Sequence, residues 1–318
     1  ANFTDCDLVT FWKRRSHLTD LVVDMIPPDF SYIQKILLPL FYTIQMSVTG
    51  TVLGIFFALV LSPFGAANLG FPAVIRRILR IVIQILRSFP ALILALTATF
   101  LFGLGTFAGT FAITLYTFAI MTKLTYEDAS AADVKAYQAL RAMGVSKYVA
   151  YIHGILPEII PGFLTNALYL LETNVRHSSI LGYVGAGGIG LLLNEKISWL
   201  EYDKVGTILL MLFLTVCVIE YFSRYLAALI RKERTIKKEQ ARLLLLFLAA
   251  LFLICTFTLS LPDFSRTSPQ TLRNMFAGFL QPDWSFFFSA EKDGLGYLLL
   301  ETVCIAFIGT VIGAIVSA

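Results

Sequence analysis

One glycine-rich stretch, YVGAGGIG at residues 183–190, has the residue types and spacing of a ligand-binding loop. Three of its glycines reproduce the pattern G-x-G-x-x-G, which lets a backbone approach the pyrophosphate of a dinucleotide. Glu201 and Asp203 follow at roughly the distance of ~20 residues at which such proteins have an acid for the ribose. The glycines are therefore either a nucleotide cradle or positions at which two backbones approach closely.

A group of polar side chains precedes the glycines. Glu172 and Arg176 are four residues apart and so share one face of a helix, with Asn174 close by. Ionisable side chains inside an apolar helix are costly and by default indicate a pathway for a solute. A structural ion pair within one helix explains the same spacing. Glu220 and Arg224 repeat the spacing, and there we favour the structural interpretation.

The composition places these side chains in a membrane protein. Of the 318 residues, 57% are hydrophobic and 14% are charged, whereas globular domains contain about 25% charged residues. The net charge of +4 is small and its cations are dispersed, which gives nucleic-acid binding no support. The cysteines and histidines are scattered, without the spacing of a disulfide framework or a metal site. We predict an all-α polytopic membrane protein with no catalytic residues and no cofactor of its own.

The apolar stretches predict about seven transmembrane helices, since a helix needs ~20 mostly apolar residues to cross a bilayer. They lie at 37–62, 80–103, 107–124, 158–176, 203–230, 243–261 and 295–318. Arg87 and the following Ser-Phe-Pro interrupt the second stretch, so an elbow helix at 73–87 leading into a shorter span is an equal alternative. Arg87 either serves a pathway or extends its charge toward water.

The positive charges indicate the orientation. With the N-terminus outside, the inner segments 63–80, 123–157 and 224–242 carry fourteen Lys and Arg residues, against ten in the outer segments and the outer ends of the spans. The basic run RKERTIKKEQAR at residues 231–242 contributes most to this difference. We therefore predict that residues 1–36 are extracytoplasmic.

This orientation argues against a nucleotide site. The glycines then lie between two spans on the outer side, whereas a dinucleotide loop belongs to a doubly wound soluble sheet. The chain also has no Gly-Lys dipeptide, and so no Walker A loop. We predict instead that the five glycines within residues 182–190 allow close backbone approach, or a re-entrant segment, beside a translocation path.

The long inner loop reads YEDASAADVKAYQALRAMGVSKYVAYIHGILPEIIPG, residues 126–162. Two short helical stretches flank Gly144, and Pro157 is predicted to end the second. A bent pair of amphipathic helices is suited to docking into the groove of another protein.

This loop resembles the EAA loop of the permeases of binding-protein-dependent ABC importers, in which a coupling helix contacts the ATPase subunit. Gln138 stands where that family usually has Glu, and Gly154 where it usually has Ile. The resemblance implies an ATPase-coupling loop at 125–157, with the residues Gln138, Ala139, Leu140, Arg141, Gly144, Leu156 and Pro157.

The next stretch, LETNVRHSSILGYVGAGGIG at 171–190, is similar to the phosphonate-uptake branch of these permeases. There a Glu-x-Asn-x-Arg run precedes a GAGGIG segment, while the methionine-importer branch shares a looser glycine run. The resemblance covers roughly residues 20–232 and implies a type I ABC importer permease-like core of five helices per module. We assign to the translocation path the residues Glu172, Asn174, Arg176, Gly185, Gly187 and Gly188.

A sequence repeat indicates a second module. PDFS at 28–31 and GTVLG at 50–54 return as PDWS at 282–285 and GTVIG at 309–313. We predict a first permease module at 37–232, a basic cytoplasmic linker at 233–242 and the beginning of a second, repeated module at 243–318. On this hypothesis the chain is part of a tandem permease whose second coupling loop lies beyond residue 318.

The sequence thus predicts the permease subunit of an ATP-driven importer for phosphonate or related phosphorus oxyanions in the bacterial cytoplasmic membrane. The predicted partners are an ABC ATPase subunit dimer, which uses the ATP, an extracytoplasmic substrate-binding protein, a second permease module and the lipid bilayer. Two alternatives stay open. One is a same-family importer of another small solute such as methionine, and the other is an ion-coupled secondary transporter.

Overall fold

The structure is a computed structural model that describes residues 15–231, 238–260, 273–274, 277–278, 281 and 294–317. Within these residues the chain is α-helical with short 3-10 turns and contains no β-strand. The contacts divide it into two compact units, Pro27–Thr267 and Ala1–Ile26 with Ser268–Ala318. The predicted all-α fold is confirmed.

The helices are numbered in chain order through the described residues. They are α1 Arg15–Asp24, α2 Ile33–Gly65, α3 Ala73–Ser88, α4 Ala91–Phe102, α5 Thr106–Ala131, α6 Lys135–Ala142, α7 Lys147–Gly154, α8 Leu156–Leu181, α9 Ile189–Ser198, α10 Tyr202–Ile230, α11 Lys238–Phe257 and α12 Leu295–Ser317. Helices α2 to α11 belong to the larger unit, and α1 and α12 belong to the smaller one.

Four single helices are long and apolar enough to cross a membrane, namely α2 with its preceding turn, α5, α10 and α12. Two bent pairs, α3 with α4 and α7 with α8, bring the number of candidate spans in the described residues to six. The remaining predicted span, 243–261, falls on α11, whose apolar part Leu246–Phe257 is shorter than a membrane crossing. The chain is therefore a polytopic membrane protein.

The second predicted span is a broken one, and its elbow alternative is the conformation found. Helices α3 and α4 meet at an angle of 94°. Pro90 precedes the first residue of α4, where its fixed φ suits a helix start and its missing N–H is not needed. One face of α3 presents a continuous row of exposed apolar side chains at helical spacing: Val74, Ile75, Ile78, Ile81, Val82 and Ile85.

Helices α2 and α5 cross with their backbones in close contact. A Cβ atom at Gly50 would lie 2.8 Å from the Cβ of Ile113, and one at Gly54 would lie 2.7 Å from the Cβ of Thr117. Small residues four apart let membrane helices approach in this way. In its first copy, the repeated GTVLG block therefore forms a helix-packing surface.

Helix α11 packs against α2 within the same unit. The Gln45 amide nitrogen donates to the Cys255 carbonyl at 3.0 Å and to the Thr258 hydroxyl at 2.8 Å. The compact unit thus extends past the basic segment at 233–242, of which residues 233–237 lie outside the described residues. The beginning of a second module at 243–318 stays a prediction.

Candidate translocation path and coupling surface

The glycine stretch follows a helix, not a strand. Helix α8 ends at Leu181, a 3-10 turn covers Gly182–Val184, and α9 begins at Ile189. The nucleotide interpretation of the glycine pattern is therefore wrong, because a dinucleotide loop follows a strand.

Three glycines of the predicted path carry the chain through this turn. Gly185, Gly187 and Gly188 have φ values of 85°, 79° and 74°, in a region that side chains other than glycine rarely adopt. A Cβ atom at Gly188 would also lie 2.7 Å from the hydroxyl of Thr43. That hydroxyl accepts a hydrogen bond from the Ile189 N–H at 2.8 Å, which fixes the start of α9 against α2.

Two further glycines let α9 pack directly on the end of α8. A Cβ atom at Gly190 would lie 1.8 Å from the carbonyl oxygen of Ser179, and one at Gly182 would lie 2.4 Å from the nitrogen of Leu191. Both contacts are with backbone atoms, which cannot move aside as a side chain can. The predicted close backbone approach is therefore what this segment uses its glycines for.

Asn174 joins three helices. Its side chain is fully buried, and its amide nitrogen donates to the hydroxyls of Thr51 on α2 and Thr117 on α5, both at 2.8 Å. One turn further along α8, the Ser47 hydroxyl donates to that of Ser178 at 3.0 Å. The structure thus places Asn174 in a polar seam between helices, on a different face of α8 from Arg176.

The predicted Glu172–Arg176 ion pair is present within α8. The Glu172 side chain is 13% exposed and the Arg176 side chain is 50% exposed, so the guanidinium reaches an open face of the helix. Tyr169 and Ile180 are exposed nearby along α8. Glu220 and Arg224 make the same pair on α10. A role in the translocation path requires Arg176 to be exposed, and a structural role requires it to be paired with Glu172. The structure shows both features.

Gly144 forms the bend between α6 and α7. Its φ of 84° lies in the left-handed region, and a Cβ atom there would meet nothing within 4 Å. Its N–H donates to the Arg141 carbonyl at 3.1 Å, and the Arg141 guanidinium donates to the Val145 carbonyl across the turn. Gln138, Ala139 and Met143 are exposed on the same surface. The loop therefore presents a fixed helical corner to its surroundings.

The inner side of this corner is anchored on the helical core. The Tyr137 hydroxyl donates to the Leu69 carbonyl at 2.6 Å, and the ring is buried. A Cβ atom at Gly154 would lie 2.8 Å from the Tyr137 nitrogen, so the glycine at this position allows α7 to pack against the start of α6. Its departure from the usual isoleucine thus has a steric reason.

Leu156 and Pro157 begin α8 rather than end α7. Helix α7 ends at Gly154, and Pro157 lies in the first turn of α8, where its missing N–H costs nothing. The second loop helix therefore ends at Gly154, a few residues before the predicted end at Pro157. A bend of 69° separates the direction of α7 from that of α8.

Residues 50–260 match the family described as binding-protein-dependent transport system inner membrane component. The chain belongs to this family. The permease is 31% identical over 217 residues to the phosphite transport system permease protein PtxC of Stutzerimonas stutzeri, which is 68% of this chain and 79% of that protein. It is 32% identical over 203 residues to the phosphate-import permease protein PhnE of Mycolicibacterium smegmatis, which is 64% of this chain and 38% of that protein.

The fold is shared with a solved transporter. The MetNI methionine ABC transporter, in inward-facing conformations, has a chain that superposes with a TM-score of 0.56 at 20% identity, covering 64% of this chain and 99% of that one. The predicted membership in the ABC importer permeases of the phosphonate branch, with a type I fold, is confirmed. The permease is an inner-membrane component of a bacterial transporter, and its family implies an ATPase and a binding protein as partners.

The acids that follow the glycines in this permease have a structural partner that the sequence pattern did not indicate. Lys196 is 5% exposed, and its ammonium lies 2.9 Å from a Glu201 carboxylate oxygen and 4.2 Å from the ring centroid of Trp199. Hydrogen bonds from Lys204 and Lys196 lower the pKa of Glu201, and the bond to Glu201 raises the pKa of Lys196. Glu201 therefore stabilises the turn between α9 and α10.

Proposed function

We propose that this permease forms the path for phosphonate or related phosphorus oxyanions. The permeases named for phosphite and phosphate transport support this substrate class, because the chain is identical to each of them at about a third of the aligned residues. Arg176 supports it chemically, since a planar guanidinium fork matches the oxygens of a phosphonate in charge and geometry. In this proposal Glu172 positions that fork.

Uptake by the complete complex tests the substrate class. The permease, its ATPase, its binding protein and any second permease chain would be reconstituted in proteoliposomes and supplied with phosphite, methylphosphonate, phosphate or methionine. We expect ATP-dependent uptake of at least one phosphorus compound and none of methionine. Methionine uptake without phosphorus uptake would support the other small-solute hypothesis, and uptake driven by an ion gradient without ATP would support a secondary transporter.

The α6–Gly144–α7 corner is proposed to be the surface that contacts the ATPase. Its exposed outer residues and its anchored inner side support this role, because force on the corner would pass through Tyr137 to the ends of α2 and α5. The ATPase is proposed to be a dimer, with one subunit for each of two permease modules. In this arrangement the corner is cytoplasmic and residues 1–36 are extracytoplasmic.

Replacing Gly144 tests the coupling surface, and Gly103 provides a matched control. Gly103 has a φ of 83°, and a Cβ atom there also meets nothing within 4 Å, so Gly103→Glu likewise adds a glutamate at a positive φ without a steric overlap. We expect Gly144→Glu to uncouple ATP hydrolysis from uptake while the protein still inserts. Equal uptake by the Gly144→Glu and Gly103→Glu variants would remove the assignment.

The second permease module is supported by the repeat of the PDFS and GTVLG blocks near residues 282–313. We expect the 318-residue chain alone neither to transport nor to stimulate the ATPase, because one module supplies one half of the path. Adding a second permease chain in trans, or fusing one to residue 318, should restore both activities. Full transport by the chain alone would contradict this proposal.

A further inference from the structure

The bend between α3 and α4 opens a cavity of about 420 Å³. Arg87 and Ser88 line it from the end of α3, Tyr116 from α5 and His177 from α8. Pockets that enclose small molecules begin at about 300 Å³, so the cavity has room for a small solute. From the sequence, a pathway role is one of two alternatives for Arg87, and the other three residues are assigned no such role.

The cavity lies at the break between α3 and α4 and beside the middle of α5. Tyr116 is near the middle of α5, next to Thr117, which bonds to Asn174 at 2.8 Å. A cation at such a depth in a span is costly and by default indicates a functional role. Arg87 has no carboxylate at ion-pair distance among the residues that the structure describes. Its charge is therefore available to a ligand.

Other polar groups converge on the same space. His177 lines the cavity, and its Nδ1 atom, which is itself buried, has no hydrogen-bond partner within the described part of the chain. Its ring lies edge-on to that of Tyr116, with 5.4 Å between the centroids. The rest of the lining includes the apolar side chains of Phe89, Leu92 and Ile180. A mostly apolar cavity with a few convergent polar groups is the usual form of a small-molecule site.

The start of α4, at the break with α3, adds backbone N–H donors that favour an anion. The first intrahelical bonds of α4 come from the N–H groups of Ile93 and Leu94, which donate to the Pro90 carbonyl. The amides of Ala91 and Leu92 precede them at the positive end of the helix dipole, and both residues line the cavity. Transporters use such half-helix N-termini to bind anionic groups near the membrane midplane.

We propose that this cavity binds a tetrahedral oxyanion of phosphorus during its passage. Arg87 contacts two of its oxygens, while His177 and Tyr116 hydrogen-bond to the others. The proposal rests on the proposed function, which supplies the substrate class. The proposal also gives the two arginines different roles. The charge of Arg176 is balanced by Glu172, whereas Arg87 supplies the net positive charge that attracts the anion.

Protection of an introduced cysteine tests binding directly. Ser88 is exposed on the cavity wall, so Ser88→Cys would be made in the complete complex after the native cysteines are replaced. Phosphite and methylphosphonate, added without the binding protein, should slow labelling by a charged thiol reagent, whereas methionine should not. With Arg87→Gln, the half-protecting concentration should rise at least about 10- to 100-fold, since even one lost charge-assisted hydrogen bond has an effect of that size.

Arg77→Gln is the matched control, since Arg77 is an exposed arginine on the same helix but does not line this cavity. Arg77→Gln should leave the protection unchanged. Arg87→Lys should restore part of the protection that Arg87→Gln loses. In uptake assays, Arg87→Gln should lower the maximal rate at least about tenfold while Arg77→Gln does not.

The results of these experiments distinguish a failure of the proposed binding site from a failure of the proposed function. If the parent complex takes up phosphite or methylphosphonate, but neither compound protects the introduced cysteine and Arg87→Gln transports normally, the site is refuted and the proposed function stands. If the parent complex takes up no phosphorus compound, the proposed function fails. Protection by sulfate alone would then show an oxyanion site with a different substrate.

Discussion

Gly190→Ala is the substitution for which the structure predicts the largest effect from a single added methyl group. The new Cβ would lie 1.8 Å from the Ser179 carbonyl oxygen, whereas real Cβ atoms essentially never approach another atom within 3.0 Å. Helices α8 and α9 would therefore have to separate by more than about 1 Å. Because both contacting segments are backbone, no side-chain rotation relieves the overlap.

The magnitude follows from the cost of overpacking. Inserting a methyl group into a well-packed region typically costs about 1–3 kcal/mol, and a backbone-to-backbone overlap belongs at the upper end, about 3 kcal/mol. For a unit of this size, 1 kcal/mol changes Tm by about 2–4 °C, so Tm should fall by about 6–12 °C. Gly162→Ala is the control, because Gly162 lies within α8 and its added Cβ meets nothing within 4 Å.

The assay is thermal unfolding of the two variants and the parent in the same detergent, followed by the monodisperse peak in size-exclusion chromatography. Gly162→Ala should raise the free energy of unfolding by about 0.5–1 kcal/mol, since alanine loses less backbone freedom than glycine on forming a helix. If Gly190→Ala unfolds within about 2 °C of the parent, α8 and α9 are not in backbone contact, and the explanation of the glycine stretch fails.

Three further substitutions test the polar side chains. Arg176→Lys should impair transport more than expression, because lysine lacks the planar guanidinium group that contacts two oxygens. If an Arg176→Ala variant transports at the normal rate, the ion pair with Glu172 is structural. Asn174→Ala should lower the free energy of unfolding by about 1–3 kcal/mol through two lost interhelical hydrogen bonds, and a double-mutant cycle with Thr117→Val should show coupling between the two positions. Lys204 and Lys196 lower the pKa of Glu201 in the folded protein. The ionised carboxylate therefore stabilises the fold at a pH above the unfolded pKa of about 4.3. This stabilisation is lost as the pH falls through the lower pKa of the folded protein. Glu201→Gln should therefore lower Tm at pH 7, and the difference from the parent should shrink below about pH 4; a difference independent of pH would contradict the ion-pair explanation.

The sequence by itself determined the class of protein and the helix–glycine–helix corner at Gly144. Long apolar runs determine that helices span a bilayer, because every backbone polar group must be satisfied within the helix there. The bend at Gly144 could be predicted from the sequence, because the turn between two short helices needs a positive φ, which is a local requirement. The intrahelical pair of Glu172 and Arg176 is equally local, since a spacing of four places both side chains on one face.

Only the tertiary structure decided what those local elements meet. The glycine pattern at 185–190 is the same string in a nucleotide loop and in a helix-packing turn, and the neighbouring backbone of Ser179 distinguishes the two. Asn174 is two residues from both Glu172 and Arg176 in sequence, yet a helix turns it toward Thr51 and Thr117 and away from the open face, because two residues span about 200° of a helix. Arg87, Tyr116 and His177 come from three helices far apart in the chain, so no spacing relates them, and the packing of α3, α5 and α8 alone brings them to one cavity.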